Sequence, residues 1–185
     1  NQWVNVLRFK ISDKLVVCDG AGFESQATIV KISADTVELS LDGKTKNQNE
    51  PTRQVYLYCA VLKKENFELV VQKSIETGVT KIIPIKTERT IKQNLRADRL
   101  QKIAQEAAGQ SGRGIVPEIA GVMDFAPALA EAVSRGETFL FDLSASSVFT
   151  EKSPSQNLAN IFIGPEGGFS PKEIELLKSY NVPTV

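Results

Sequence analysis

The sharpest chemical signal in the chain is Ile161-Phe162-Ile163-Gly164-Pro165-Glu166-Gly167-Gly168-Phe169-Ser170. An apolar run enters a turn with three glycines in five residues. Such a turn lets the backbone approach a ligand and aim its N–H groups at it. Ser170, Pro171 and Glu173 then fall at the N-cap, N1 and N3 positions of a helix, which is a capping box. In open α/β sheets, ligands bind at the carboxyl ends of strands, where this loop would lie. An ordinary turn between a strand and a helix has the same pattern, and spacing alone leaves both readings standing. The segment has no Gly-Lys-Ser/Thr and is not a phosphate-binding P-loop, and its glycine spacing is not the dinucleotide fingerprint. Glu166 is the odd residue in the turn: it can cap backbone amides, hydrogen-bond a ligand or tolerate a cation.

The chain contains no histidine. That removes Ser-His-Asp and Cys-His triads, HExxH zinc sites and imidazole acid–base chemistry. Catalysis must then use carboxylates, Lys, Tyr, Cys, backbone amides or a cofactor. Cys18 and Cys59 lie in separate apolar runs, so no clustered metal ligands are expected, and two buried thiols are expected rather than a disulfide.

Several basic residues are placed where chemistry is possible. Arg113 stands between two glycines after Gln105-Glu106-Ala107-Ala108-Gly109-Gln110-Ser111. It reads either as a solvated residue after a helix or as a phosphate or base contact, for which Arg offers a rigid fork of donors. Lys73 and Glu76 are i,i+3 on a helix and form a surface pair on the plainer reading. Arg89 lies just past a strand end, the position at which sheets of this kind bind ligands. Arg8 and Lys10 are solvated strand charges or RNA contacts, and spacing does not decide between them.

The elements that must position these residues follow from periodicity. Val4–Phe9, Lys14–Asp19, Glu24–Ile32 and Thr36–Leu41 read as short strands split by turn clusters, the pattern of a small β-barrel over residues 1–43. Residues 42–53 hold no large apolar side chain and read as a linker, drawn at 44–53. From residue 54 to 185, strands alternate with helices: Gln54–Val61, Asn66–Thr77 (helix, stopped by Gly78), Lys81–Ile85, Arg96–Ser111 (helix), Phe125–Val133 (helix), Thr138–Leu143, Ala159–Ile163 and Ser170–Tyr180 (helix). This is an α/β arrangement with a mostly parallel sheet. Among 185 residues, 22 basic and 22 acidic side chains cancel, yet residues 44–113 carry +7 between flanks of −2 and −5. Gathered on one side, that segment would present a positive surface. No apolar run reaches the length of a membrane span and no signal peptide is visible, so a soluble, cytoplasmic protein is expected.

In order, Val6-Leu7-Arg8, Gln72-Lys73 with Glu76-Thr77-Gly78-Val79, Glu88-Arg89, Gln110-Ser111-Gly112-Arg113, Val116-Pro117 and Gly164–Ser170 resemble the bacterial methyltransferases that make 3-methyluridine in small-subunit ribosomal RNA, of the SPOUT superfamily. The resemblance covers nearly the whole chain. It implies a two-domain α+β protein: an N-terminal PUA-like β-barrel, then an α/β SPOUT domain with a C-terminal trefoil knot. It implies S-adenosylmethionine as methyl donor, a homodimer, no metal and no membrane, and small-subunit rRNA or the assembled small subunit as partner. Leu143, Ser144 and the loop Ile163, Gly164, Pro165, Glu166, Gly167 and Gly168 are then the expected cofactor contacts. Arg89, Arg113 and Glu166 are the catalytic candidates, and Arg8, Lys10, Lys73, Arg89 and Arg113 the RNA-binding ones. The chain departs from the family at Gly109-Gln110-Ser111, where Glu-Gln-Ser is common, and at Glu76-Thr77-Gly78, where Glu-Leu-Gly is usual. Family members continue beyond the position of Val185 into a Leu-Gly-x-Arg-Ile-Leu-Arg segment, so residues 1–185 are expected to leave the knot and the cofactor pocket incomplete.

The sulfonium donor is already activated, so the protein's task would be to orient it and the base, with Arg holding charge on the uracil carbonyls. Two rivals remain at this level. One is a non-catalytic RNA-binding protein that keeps the fold. The other is a nucleotide enzyme using the glycine loop for phosphate.

Overall fold

The computed structural model describes residues 8–90, 94–143, 145 and 157–185. Most of the expected strand Val4–Phe9, and Ser144, lie outside the described residues. The chain divides into two units: Asn1–Glu50 with Gly112–Val116, and Pro51–Ser111 with Pro117–Val185.

In the first unit, β1 (Lys14–Cys18), β2 (Phe23–Ile32) and β3 (Val37–Lys46) form an antiparallel meander. Leu15, Ala27 and Leu41 stand in register across it, and Ala27 and Ile29 are buried. The β1–β2 turn is held by Asp19, whose carboxylate accepts from the N–H groups of Ala21 (2.8 Å) and Phe23 (3.1 Å). Those N–H groups and Lys44 hold its pKa down at about 2. Among the described residues this is a three-stranded sheet rather than a closed barrel.

Two expectations are corrected here. Residues 44–46 are not linker but the end of β3, where Lys46 pairs with Phe23. The stretch lacks large apolar groups, yet a ladder needs only backbone. After it, the side-chain amides of Asn47 (3.2 Å) and Asn49 (3.0 Å) donate to the carbonyl of Gly112. Backbone bonds from Gly22 N–H to Gly114 (2.9 Å) and Val116 N–H to Gly20 (3.3 Å) fix residues 112–116 in this unit. Cys18 is exposed rather than buried, because it ends β1 on an outer face; Cys59 is buried, and both thiols are free.

The second unit is a parallel sheet. Its strands are β4 (Gln54–Ala60), β5 (Lys81–Lys86), β6 (Glu118–Ile119), β7 (Met123–Asp124), β8 (Glu137–Phe141) and β9 (Leu158–Ile163), in the order β6-β5-β4-β9-β8 with β7 also on β5. Its helices are α1 (Lys64–Glu76), α2 (Ala97–Gln110), α3 (Phe125–Arg135) and α4 (Pro171–Ser179). The expected elements are all present within a few residues. The two-residue strands β6 and β7 had no periodic signal to reveal them. Gly78 ends α1 in the left-handed region (φ 99°), and a Cβ there would come within 2.9 Å of Pro51 Cγ, so glycine is required on two grounds. Beyond β8, Leu140 N–H bonds Pro183 and Val185 N–H bonds Leu140, which lays residues 183–185 along that edge.

An aromatic column fills the core. Tyr58 of β4 stacks on Phe162 of β9 at 4.6 Å, and Phe125 of α3 meets Phe162 edge-on at 6.0 Å and Phe169 at 5.4 Å. Such pairs add to area burial. Phe162, at the centre, is fully buried, and the column ends at the glycine loop.

Candidate functional site

β4, β5, β8 and β9 run parallel, so their carboxyl ends lie on one edge of the sheet. β9 delivers Ile163 to that edge and the glycine loop follows. Pro165–Gly168 is a turn closed by Gly168 N–H to the Pro165 carbonyl at 2.8 Å, with Gly168 at φ 67°. Glu166 and Gly167 sit at its exposed tip. Among the described residues the N–H groups of Glu166 and Gly167 have no acceptor.

The loop is anchored at both sides of this tip. Phe169 is buried on Phe125, and a Cβ on Gly164 would lie 2.9 Å from Phe169 Cε2, so only glycine lets this ring seat. Ser170 caps α4 as its sequence implied: its Oγ accepts from Glu173 N–H (3.3 Å), and Glu173 accepts from Ser170 N–H (2.8 Å).

The turn after β5 meets the same loop. Thr90 N–H bonds the Thr87 carbonyl (3.2 Å), Thr87 N–H bonds Thr90 Oγ1 (2.9 Å), and the two hydroxyls lie 2.7 Å apart. From this closed turn Arg89 Nη1 donates to the Gly167 carbonyl at 2.6 Å. Glu88 N–H donates to the second oxygen of Glu173 at 2.9 Å. The capping box was legible in the sequence; this second bond of Glu173, between residues 85 apart, carried no sequence signal.

Apolar surface borders the loop. Phe141 and Ile163 are in register on β8 and β9 and are 38% and 40% exposed, and Leu143, two residues past Phe141, is fully exposed. Cys59, opposite Ile163 on β4, is no nucleophile: burial, and then the charge of Glu166, push its thiol up to about 12.

Of the candidates, the structure brings together Arg89, Glu166 and the loop 163–168, with Leu143 on the same sheet edge. Lys73 is elsewhere: α1 runs back from the end of β4 to the start of β5, so its last turn lies toward the amino edge of the sheet. Lys73 pairs there with Glu76 at 2.7 Å, as the plainer reading had it. Arg113 belongs to the first unit and is no solvated donor. Its side chain is 4% exposed and Nη2 donates to Glu50 at 2.8 Å, so the reading of a solvated residue after a helix does not hold. Arg8 (φ 56°) and Lys10 are in the first unit, and Lys10 is exposed. No cluster of metal-ligating side chains occurs among the described residues, and none of their helices is long and apolar enough to cross a membrane.

Comparison with known proteins matches residues 48–185 to a family described as an RNA methyltransferase domain and residues 4–42 to an RNA methyltransferase PUA domain. The ribosomal RNA small subunit methyltransferase E of Bacillus subtilis is 30% identical over 94% of this chain and 73% of its own length. The crystal structure of ribosomal RNA small subunit methyltransferase E from Neisseria gonorrhoeae, bound to S-adenosyl methionine, superposes with a TM-score of 0.89 at 25% identity, covering 100% of this chain and 78% of that one. A putative methyltransferase of Legionella pneumophila shares the fold, with a TM-score of 0.86 at 24% identity over 99% and 78% of the two chains.

Proposed function

The chain belongs to the RNA methyltransferase family, and from that premise we propose that it methylates N3 of a uridine in small-subunit ribosomal RNA with S-adenosylmethionine as donor. The carrying observation is the turn 165–168, with its unpartnered N–H groups at the carboxyl edge of a parallel sheet and Arg89 clasped to it.

The residues suit the cofactor. Open N–H groups at Glu166 and Gly167 offer donors to its polar groups, and Ile163 and Leu143 offer apolar surface to its adenosyl and thioether parts. Pro165, Gly164 and Gly168 shape the loop that holds it. When bound, it supplies an activated methyl group on a sulfonium. The remaining work falls to this chain. Methylation at N3 requires departure of the N3 proton, and the flanking uracil carbonyls take up the charge. Glu166, an exposed carboxylate at the loop tip, accepts that proton. Arg89, with only Nη1 engaged, turns its remaining donors to a carbonyl oxygen. Positioning supplies the rest, because the donor needs no further activation.

The first unit serves RNA docking through phosphates and shape, with Arg8 and Lys10 its contacts. The protein works in the cytoplasm as a homodimer, and its second unit has the C-terminal trefoil knot of the SPOUT fold. Calorimetric titration with S-adenosylmethionine tests the donor, and mass spectrometry of small-subunit RNA after incubation tests the product. Cofactor binding together with 3-methyluridine is expected; binding of ATP in place of S-adenosylmethionine would overturn the reading.

A further inference from the structure

We propose that Glu173 is a positioning residue for the reaction, acting through the turn that carries Arg89; this rests on the assignment of Arg89 above. Glu173 is 8% exposed, and its two carboxylate oxygens are divided between two tasks. Oε2 closes the capping box on Ser170 N–H, while Oε1 accepts from Glu88 N–H at 2.9 Å. A helix cap needs only the first. The second ties the β5 turn to the glycine loop across 85 positions of sequence.

The turn Thr87–Thr90 is braced by its own three hydrogen bonds, so holding it at Glu88 holds Arg89, the next residue. Arg89 itself reaches the Gly167 carbonyl on a long side chain at an exposed site. A lone contact of that kind leaves the backbone beneath it free to shift. The part-buried bond to the Glu173 side chain fixes that backbone, and the guanidinium contact then fixes the head group. The glycine loop and Arg89 therefore form one frame, with Glu173 as the shared strut.

The test is a double-mutant cycle on the full chain, reading kcat for methylation of small-subunit RNA and Kd for S-adenosylmethionine. Glu173→Gln is expected to lower kcat about tenfold while Kd moves less than about threefold. Arg89→Ala lowers kcat by at least as much, and adding Glu173→Gln to Arg89→Ala costs less than about twofold more, because the strut then has nothing to position. Ser170→Ala separates the roles: it removes the cap acceptor, spares the Glu88 bond and leaves kcat in place. Glu88→Pro deletes the donor N–H together with the side chain at the second position of a turn, where proline is tolerated, and reproduces the loss; Glu88→Ala, which removes the side chain but keeps the N–H, does not. Should Glu173→Gln fail to fold, the Glu88 pair carries the test alone. Additive losses in the cycle, a loss with Ser170→Ala equal to that of Glu173→Gln, or full activity in Glu88→Pro would each overturn the positioning role. An Arg89→Ala enzyme with unchanged methylation overturns the Arg89 assignment, and this inference with it.

Discussion

Gly164 and Phe169 are in contact such that a Cβ on the glycine would lie 2.9 Å from ring atom Cε2. The ring in turn packs on Phe125 at 5.4 Å, so one small residue decides whether the loop docks on the core. Gly164→Ala should force the ring aside, at a cost of about 1–3 kcal/mol from overpacking. Phe169→Ala should cost about 3–5 kcal/mol by leaving a cavity. Denaturant unfolding reads both, and S-adenosylmethionine affinity should fall in both, since each releases the loop from its anchor.

Gly167 is different. A Cβ there meets the Arg89 side chain at 3.6 Å, an ordinary contact. Gly167→Val should therefore leave the melting temperature nearly unchanged while raising the cofactor Kd by about tenfold, or about 1.4 kcal/mol. Unchanged affinity would reduce the loop to a connecting turn.

Arg113→Ala should act on stability before activity. It leaves the part-buried Glu50 without its partner, a loss of about 1–3 kcal/mol by the measure of a polar group left unsatisfied. Chemical denaturation followed by a probe in the first unit checks this.

Glu50 also sets a pH dependence. Burial raises its pKa, but the bonds from Arg113, Ile115 N–H and Gly114 N–H outweigh burial and hold it below the ordinary 4.5. Its contribution is then fully present above about pH 4.5 and is lost as pH falls through the lower folded value. Denaturation midpoints between pH 6 and pH 3, roughly the window below neutrality in which carboxylates titrate, should decline in the parent and decline less in Glu50→Gln.

The two thiols should separate by reactivity. An aromatic disulfide reagent should label Cys18 alone in the native protein and both thiols once it is unfolded. Cys18 is raised above 9.0 by partial burial and by Glu24 and Asp19, so its labelling should accelerate through the alkaline range. Cys59, pushed up to about 12, should stay silent there. Rapid native labelling of both would contradict the packing around β4.

What the sequence alone determined is local. The capping box at Ser170 and Glu173, the glycine stop at Gly78 and the apolar periods of α1 and α2 are complete within a dozen residues, and each formed where its pattern placed it. The same locality placed the glycine loop after β9. Tertiary structure decided the rest, because the partners lie far apart in the chain. Arg113 finds Glu50 across 63 positions, and Glu173 finds Glu88 across 85. A carboxylate or guanidinium bonds whatever donor or acceptor the topology brings to it, and no spacing rule encodes that choice. The end of β3 makes the same point from the other side. Its side chains are polar and read as linker, but β-pairing is a backbone interaction that composition does not record.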